Sequence, residues 1–404
     1  MGLGSERLTP HAHACLVRFG AWMPFQKATA ELAFSLRVVV SEPTARRYAQ
    51  AAGKAYVDWQ TAEVGRLERE TPQPPVGPEK MFFSVDGAMV PLVGGEWTEV
   101  KTLTIGEIGA PVLERGEWVA HSQHHSYFSR VAEASQFRRL ALVETQVRGV
   151  EQASKIAAVT DGAEWEQGFI DFHCPQAVRI LDFPHAAERV SAIGQALWGQ
   201  ESEATNTWLG EQLHNLKHGG PDELLMELGC LRAQHPDVEG VSVNLAYLEK
   251  REGHMHYPEY QAQGLPIGSG AMESGNKVVV EARLKGAGMH WAPHNLNPML
   301  ALRNVLCSDR WEEAWPQIEA WLRQAERARK KELWARRRGS VASTEPASTV
   351  VSLPEPNLPA LTPPAEQAKT QSATKSKGPA PNHPWRRSPI GRAKYWPSNH
   401  FSKN

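Results

Sequence analysis

Two aspartates follow apolar, strand-like segments in nearly the same sequence context. Asp86 lies in SVDGAMV and Asp161 lies in AVTDGAEW, and each is followed by Gly-Ala. A carboxylate at the end of a hydrophobic strand is costly to bury unless it is paired or binds a metal ion, and α/β sheets place their sites at strand ends. The pattern fits a metal site and a pair of ordinary Asp-Gly turns about equally well.

A third carboxylate, Glu273, stands in GSGAMESGNKVVVEARLKGAGMHW (268–291). The glycines predict a flexible start, and Glu273 falls in the first turn of a predicted helix that also carries Lys277 and Arg283. An early carboxylate with basic groups behind it suits a metal ligand beside a phosphate-binding surface. The alternative is a charge that only complements the helix macrodipole.

The segments around these carboxylates predict an α/β fold. Three apolar, partly alternating segments follow residue 80 and predict three strands, and a helix is expected over about 131–149. KIAAVTDG and AVRILDF predict a fourth and a fifth strand, and residues 185–262 are predicted to be helical throughout. The order βββαβ predicts a layered α/β fold with a mixed sheet.

The N-terminal region predicts helices over residues 10–60, with a short break before Ser41, a suitable N-cap. Two helices joined by a tight turn form a helix-turn-helix, whose second helix can enter the major groove of DNA. The alternative is a helical hairpin that packs on the next domain. In the first interpretation, the DNA-facing residues are Thr44, Arg46, Arg47 and Gln50.

The net charge of −1 is the sum of opposed blocks. Residues 1–60 carry 7 basic and 4 acidic residues, residues 61–322 carry 21 and 36, and residues 323–404 carry 16 and 5. Such blocks indicate separate roles, including binding of a polyanion.

No run of about 18 apolar residues occurs, so we expect no membrane span. The four dispersed cysteines predict reduced thiols in a cytoplasmic protein.

In these contexts the three carboxylates resemble those of the Asp-Asp-Glu (DDE) transposases of bacterial insertion sequences, in particular the Kra-type group. The resemblance covers about residues 20–310, touches HPWRR at 383–387, and is specific because its motifs occur in order. They are DGA at Asp86, DGAEW from Asp161, DFPHAAE from Asp182 to Glu188, and the glycine-rich segment from Gly268 to Trp291.

The resemblance implies an RNase H-like core whose first strand carries Asp86, whose fourth carries Asp161 and whose late helix carries Glu273, with a helical insertion at about 190–262. It implies DNA strand cleavage and strand transfer with two Mg²⁺ or Mn²⁺ ions. Asp86 would bind both ions, Asp161 one and Glu273 the other. His185 would contact the scissile phosphate or orient a ligand, and Trp165 would stack on a splayed base, with packing as the alternative for both.

The same resemblance gives the expected partners, and together with the composition of the chain it gives the expected domains. The partners are the terminal inverted repeats and target DNA, with a homodimer or higher oligomer in the synaptic complex of a cytoplasmic, nucleoid-associated bacterial protein. A catalytically inactive, transposase-derived DNA-binding regulator is the alternative. Lys277, Arg283 and Lys285 are further expected DNA contacts.

The expected domains are a helix-turn-helix region (1–70), a Pro-rich linker (71–80), the catalytic domain (81–310), a charged helix (311–338) and a disordered basic tail (339–404).

Overall fold

A computed structural model describes residues 8–200 and 202–341 of the protein, with side chains through residue 335. The α/β fold with a five-stranded mixed sheet is confirmed, and its strands run in the spatial order third, second, first, fourth, fifth. A short hairpin, β3 (Val112–Glu114) with β4 (Glu117–Val119), lies outside this sheet. The sheet strands are β1 (Lys80–Pro91), β2 (Trp97–Ile108), β5 (Ser122–Arg130), β6 (Lys155–Thr160) and β7 (Val178–Leu181).

The strand register places the two predicted aspartates side by side. β1 pairs with β2 in antiparallel fashion, with Asp86 opposite Thr102. The expectation that Asp86 ends its strand is wrong, because the pairing with β2 extends β1 as far as Pro91. β1 pairs with β6 in parallel, and Phe83 lies opposite Ala158. Asp86 comes three residues after Phe83, and Asp161 comes three residues after Ala158. The two aspartates therefore have the same offset from this pair of adjacent strands.

Helices fill most of the chain between and after the strands. Those between strands are α4 (Ala134–Leu140), α5 (Leu142–Val147) and α6 (Glu164–His173). The helical insertion comprises α7 (Phe183–Trp198), α8 (Glu203–Gly219), α9 (Pro221–Gln234), α10 (Glu239–Glu249) and α11 (Tyr257–Ala262), as the sequence predicts for this block. The last helices are α12 (Gly270–Gly275), a π-helical turn (Asn276–Glu281), α13 (Ala282–Leu284), α14 (Pro293–Cys307) and α15 (Trp311–Val341).

The two faces of β1 contact different layers, because successive strand residues point to opposite sides. Phe83 and Val85 are buried in a core with α4 and α6. On the other face, Phe82 belongs to a core with the helical insertion, whereas Val90 belongs to a core with α14. Asp86 has the same parity as Phe82 and Val90. Asp86 therefore lies between two apolar cores, where a charged carboxylate is costly to bury.

Three helices precede the sheet: α1 (Pro10–Trp22), α2 (Phe25–Leu36) and α3 (Glu42–Glu70). Ser41 caps α3 as predicted, accepting a hydrogen bond from the amide of Thr44 at 3.4 Å. α3 approaches α14 so closely that a Cβ on Gly53 would lie 2.1 Å from the carbonyl oxygen of Pro298. The predicted pair of helices is present, and it packs on the sheet-bearing region as its alternative interpretation expects.

The expected linker is held in place by hydrogen bonds from the sheet-bearing region. Gln146 donates to the carbonyl of Pro72 at 3.0 Å, and the amide of Ser154 donates to that of Pro78 at 3.3 Å. At the other end, α15 continues to Val341, beyond the expected limit of 338, and residues 342–404 of the expected tail lie outside the described residues. Among the helices of the described part, none has the length and apolar character needed to cross a membrane.

Candidate active site

Asp86 lies in a polar gap between two apolar cores. Its Oδ1 accepts a hydrogen bond from the amide of Gly87 at 2.6 Å, and its Oδ2 accepts one from Nδ2 of Asn276 at 2.9 Å. Burial raises the pKa of Asp86 to about 6, and the negative charge of Asp161 adds to the rise. The position inside β1 excludes the simple Asp-Gly turn for this residue. A bound cation would offset both causes of the raised pKa.

Asp161 begins the turn between β6 and α6. Its Oδ1 accepts a hydrogen bond from the amide of Ala163 at 2.8 Å. Gly162 has φ of +82°, a left-handed conformation that favours glycine. The turn and the site interpretations are therefore compatible at Asp161, because its charge is close enough to Asp86 to raise the pKa of that residue.

A buried glutamate, Glu166, joins the two aspartates from the first turn of α6. It is 1% exposed, and its Oε2 accepts a hydrogen bond from the amide of Ala163 at 3.2 Å. Burial raises the pKa of Glu166 to about 10, and a shared hydrogen bond with Asp161 and the charges of both aspartates add to the rise. The raised pKa favours the protonated form of Glu166, in which the carboxyl group donates a hydrogen bond to Asp161.

Glu273 lies on α12, which is seated directly on the sheet. A Cβ on Gly275 would lie 2.8 Å from the ring of Tyr127, so glycine is needed for this approach. One turn after Glu273, Asn276 reaches Asp86 and opens the π-helical turn, a local geometry that is frequent at functional sites. The Glu273 side chain itself is 62% exposed and accepts a hydrogen bond from Lys277 at 2.5 Å. The predicted helix thus reaches the aspartates, while its glutamate pairs with a lysine.

Of the three basic residues expected to face DNA near Glu273, only Lys277 is well exposed, with 61% of its side chain accessible. The expectation for Arg283 is wrong: the residue is 2% exposed and donates to the carbonyl of Gly20 at 3.0 Å. Burial lowers its pKa to about 10. The side chain of Lys285 is 13% exposed and pairs with Glu281 at 2.6 Å. Arg283 therefore fastens α13 to the N-terminal helices.

The two expected supporting residues have different surroundings. His185 lies in the first turn of α7, with Nδ1 3.3 Å from Oε2 of Glu188, and a positive charge on its ring would partly offset the raised pKa of Asp86. Trp165 is partly buried, with its ring edge-on to Phe137 at 6.2 Å between centroids. The ammonium of Lys101 lies 5.3 Å from the Trp165 centroid. His185 is thus near the aspartates, while Trp165 makes the packing contact that its alternative interpretation expects.

Two further predicted sets lie away from the aspartates. On α3, Arg46 and Arg47 are exposed, and Thr44 and Gln50 are partly so, which agrees with the predicted outer face. Each histidine of the HSQHH segment (121–125) has a separate side-chain partner. The pairs are His121 with Glu114 (2.9 Å), His124 with Glu107 (3.2 Å) and His125 with Ser122 (2.8 Å).

The groups around Asp86 fit a divalent cation. Within residues 8–200 and 202–341, no three His, Cys, Asp or Glu side chains are arranged as ligands for a metal ion. However, Oδ1 of Asn276 is buried without a hydrogen-bond partner on the residue that contacts Asp86, and such an atom is costly to bury. Carboxylate and amide oxygens are the ligands that Mg²⁺ prefers. Asp86, Asp161 and Asn276 therefore present the oxygens that would hold a cation, and Glu273 would join them only after leaving Lys277.

Sequence comparison adds no family to this geometry: no protein-family model matches the chain, and no curated protein matches it. Sequence reasoning missed Glu166, Asn276, Tyr247 and Arg251, all of which contact the aspartates or their turn. Asn276 follows Glu273 by one helical turn, a spacing that could have indicated it. Glu166 has the spacing of an ordinary helix-capping glutamate, and nothing in the sequence marks Tyr247 or Arg251.

Proposed function

We propose that this protein is a DNA transposase of the Asp-Asp-Glu type with an RNase H-like core, which cleaves the ends of its element and joins them to target DNA. The observation that carries the proposal is the position of Asp86 on β1 and of Asp161 directly after the adjacent strand β6, with Asn276, one turn after Glu273, hydrogen-bonded to Asp86. The order of strands and the position of the helical insertion agree with this class of enzyme.

Two bound Mg²⁺ ions would activate the attacking hydroxyl, stabilise the leaving oxygen and neutralise the charge on the phosphate. The protein's part is to supply a rigid, oxygen-rich site. Backbone amides fix one oxygen of Asp86 and one of Asp161. Glu166 keeps a proton beside Asp161 and thereby limits the number of negative charges in the buried cluster. Water would attack first at the element end, and the freed 3′-OH would then attack the target.

We assign DNA binding to exposed basic side chains outside the buried cluster of Asp86, Asp161 and Glu166. Arg46 and Arg47 on α3 and Lys277 on the π-helical turn are exposed. The excess acidic charge of residues 61–322 does not attract DNA to the domain as a whole, so local basic groups must position the phosphates. We therefore propose that the inverted repeat lies across α3 and reaches the site beside Lys277.

The test is strand cleavage and joining on DNA that carries the inverted repeats flanking the reading frame. Asp86→Asn, Asp161→Asn and Glu273→Gln should each lose more activity than the roughly 10–100-fold that outer-shell residues cost. Asp171→Asn, which alters an exposed carboxylate paired with Arg179 near the end of α6, is the matched control and should retain activity. Full activity in any of the three site variants would remove that residue from the proposed site.

A second function, a DNA-binding regulator without catalysis, is favoured by one observation. Glu273 is exposed and paired with Lys277. If the regulator interpretation is correct, the protein binds inverted-repeat DNA equally in EDTA and in Mg²⁺ and produces no cut strand in either. Mg²⁺-dependent cutting that Asp86→Asn abolishes would exclude it.

A further inference from the structure

The helical insertion contacts the main chain of the turn that carries Asp161. The hydroxyl of Tyr247, on α10, donates a hydrogen bond to the carbonyl oxygen of Asp161. Arg251, just beyond α10, donates to the carbonyl oxygen of Gly162 from Nε at 3.1 Å and from Nη2 at 2.7 Å. Two consecutive carbonyl groups are thus held by neighbouring residues of the insertion, which we call the α10 clamp (Tyr247 and Arg251).

The turn and the clamp fit each other closely. Gly162 has φ of +82°, and a Cβ at this position would lie 2.3 Å from Nε of Arg251. Glycine is therefore required both by the backbone conformation and by the approach of the guanidinium. A displacement of the guanidinium would release the Gly162 carbonyl, and the Asp161 carboxylate next to it would lose its fixed direction.

The clamp residues are themselves fixed within the insertion. The guanidinium of Arg251 lies 3.7 Å from the centroid of the Tyr247 ring, and that of Arg189, on α7, lies 4.2 Å from the same ring. Arg251 also donates from Nη1 to the carbonyl of Tyr247 at 3.0 Å. Cation–π contacts of this kind stabilise a planar stack. The position of the Asp161 turn therefore depends on the packing of α7 and α10.

We propose that Tyr247 and Arg251 are positioning residues that set the direction of the Asp161 carboxylate for cation binding. This rests on the proposed cation site at Asp86 and Asp161. Neither residue touches the cation or the DNA phosphate in this proposal. They act through the main chain of the turn, so that the helical insertion controls the affinity of the site as well as the contacts around it.

The experiment is a Mn²⁺ titration of the full chain without DNA, followed by electron paramagnetic resonance. Tyr247→Phe keeps the stacked ring and removes only the hydroxyl that donates to Asp161. Loss of an outer-shell partner typically weakens metal binding 10–100-fold, and we expect about 10-fold here. Tyr260→Phe is the matched control, because Tyr260 donates to the carbonyl of Gly253 at 3.0 Å within the same insertion. This control should bind Mn²⁺ as the wild type does.

Arg251→Lys is the second variant, which retains the charge and loses the two-donor fork. It should also weaken Mn²⁺ binding, with a melting temperature close to that of the wild type. Wild-type affinity in both Tyr247→Phe and Arg251→Lys, alongside loss of binding in Asp161→Asn, would overturn the clamp and leave the proposed site intact. An equal loss in Tyr260→Phe would likewise overturn it. Unchanged binding in Asp161→Asn would instead overturn the proposed site.

Discussion

The aspartates of the sheet and the glutamate of the following helix are held in opposite ways. Asp86 and Asp161 accept hydrogen bonds from backbone amides, and Asp86 also accepts one from Asn276. Glu273 is 62% exposed and pairs with Lys277, a contact of a kind worth about 0–1 kcal/mol in water. This difference shows that the carboxylates of Asp86 and Asp161 are already positioned without a bound cation. The third is held only by a contact that costs little to break.

Glu166→Gln sharpens this comparison through the largest expected change in stability. The folded pKa of Glu166 is raised to about 10, so its stabilising contribution is complete below the unfolded pKa near 4.5 and is lost as the pH rises toward 10. At pH 7.5 the folded state retains a proton that the unfolded state releases, which costs up to about 4 kcal/mol. Glutamine avoids this cost. Urea unfolding in EDTA should show a more stable variant, with a difference that grows from pH 5 to pH 9.

Glu144→Gln is the matched control for that measurement. Glu144 is also buried, at 4% exposure, but it pairs with Arg310. Removing its charge leaves the arginine without its partner, so this variant should be less stable than the wild type. If Glu166→Gln is destabilised as well, the ionised form of Glu166 is not disfavoured by burial and by the charges of Asp86 and Asp161. That result would contradict the raised pKa of Glu166.

Arg283→Ala and Lys277→Ala compare two basic residues of the helical run that follows Glu273. Arg283 is buried, and its guanidinium lies 4.9 Å from the ring centroid of Phe25, so alanine should reduce the unfolding free energy by about 2–4 kcal/mol. Lys277 is exposed, and its loss should change stability little. Calorimetry should show the larger loss of stability for Arg283→Ala. A DNA-binding titration, made once each variant is confirmed to be folded, should show the larger loss of affinity for Lys277→Ala. A normal melting temperature for Arg283→Ala would contradict the buried position.

Much of the fold was predictable because its signals are local. Apolar alternation marked the sheet, the helical period marked residues 185–262, and Ser41 marked the start of α3. The strand end predicted at Asp86 was wrong, because antiparallel pairing with β2 continues β1 to Pro91. The Gly94-Gly95 turn, with both residues at positive φ, closes this hairpin and is the local signal that could have indicated the pairing.

The candidate site was predictable only in part, for a related physical reason. Asp86 and Asp161 could be identified because charged groups in apolar strands are costly. Arg283 could not be distinguished from Lys277 by its type or helical spacing. It is buried because α1 and α2 fold back over α13, a long-range contact to the carbonyl of Gly20. Tyr247 reaches Asp161 through the packing of the insertion, which sequence periodicity does not encode.

The most direct test of the central claim is Mn²⁺ binding to the full chain in the absence of DNA. If Asp86 and Asp161 form the positioned half of the site, Asp86→Asn and Asp161→Asn should each weaken binding by more than roughly 100-fold, beyond the effect typical of outer-shell residues. Glu273→Gln should weaken it only a few-fold, because its carboxylate begins in a surface ion pair. Wild-type affinity in either aspartate variant, or a Glu273→Gln loss as large as theirs, would contradict the account.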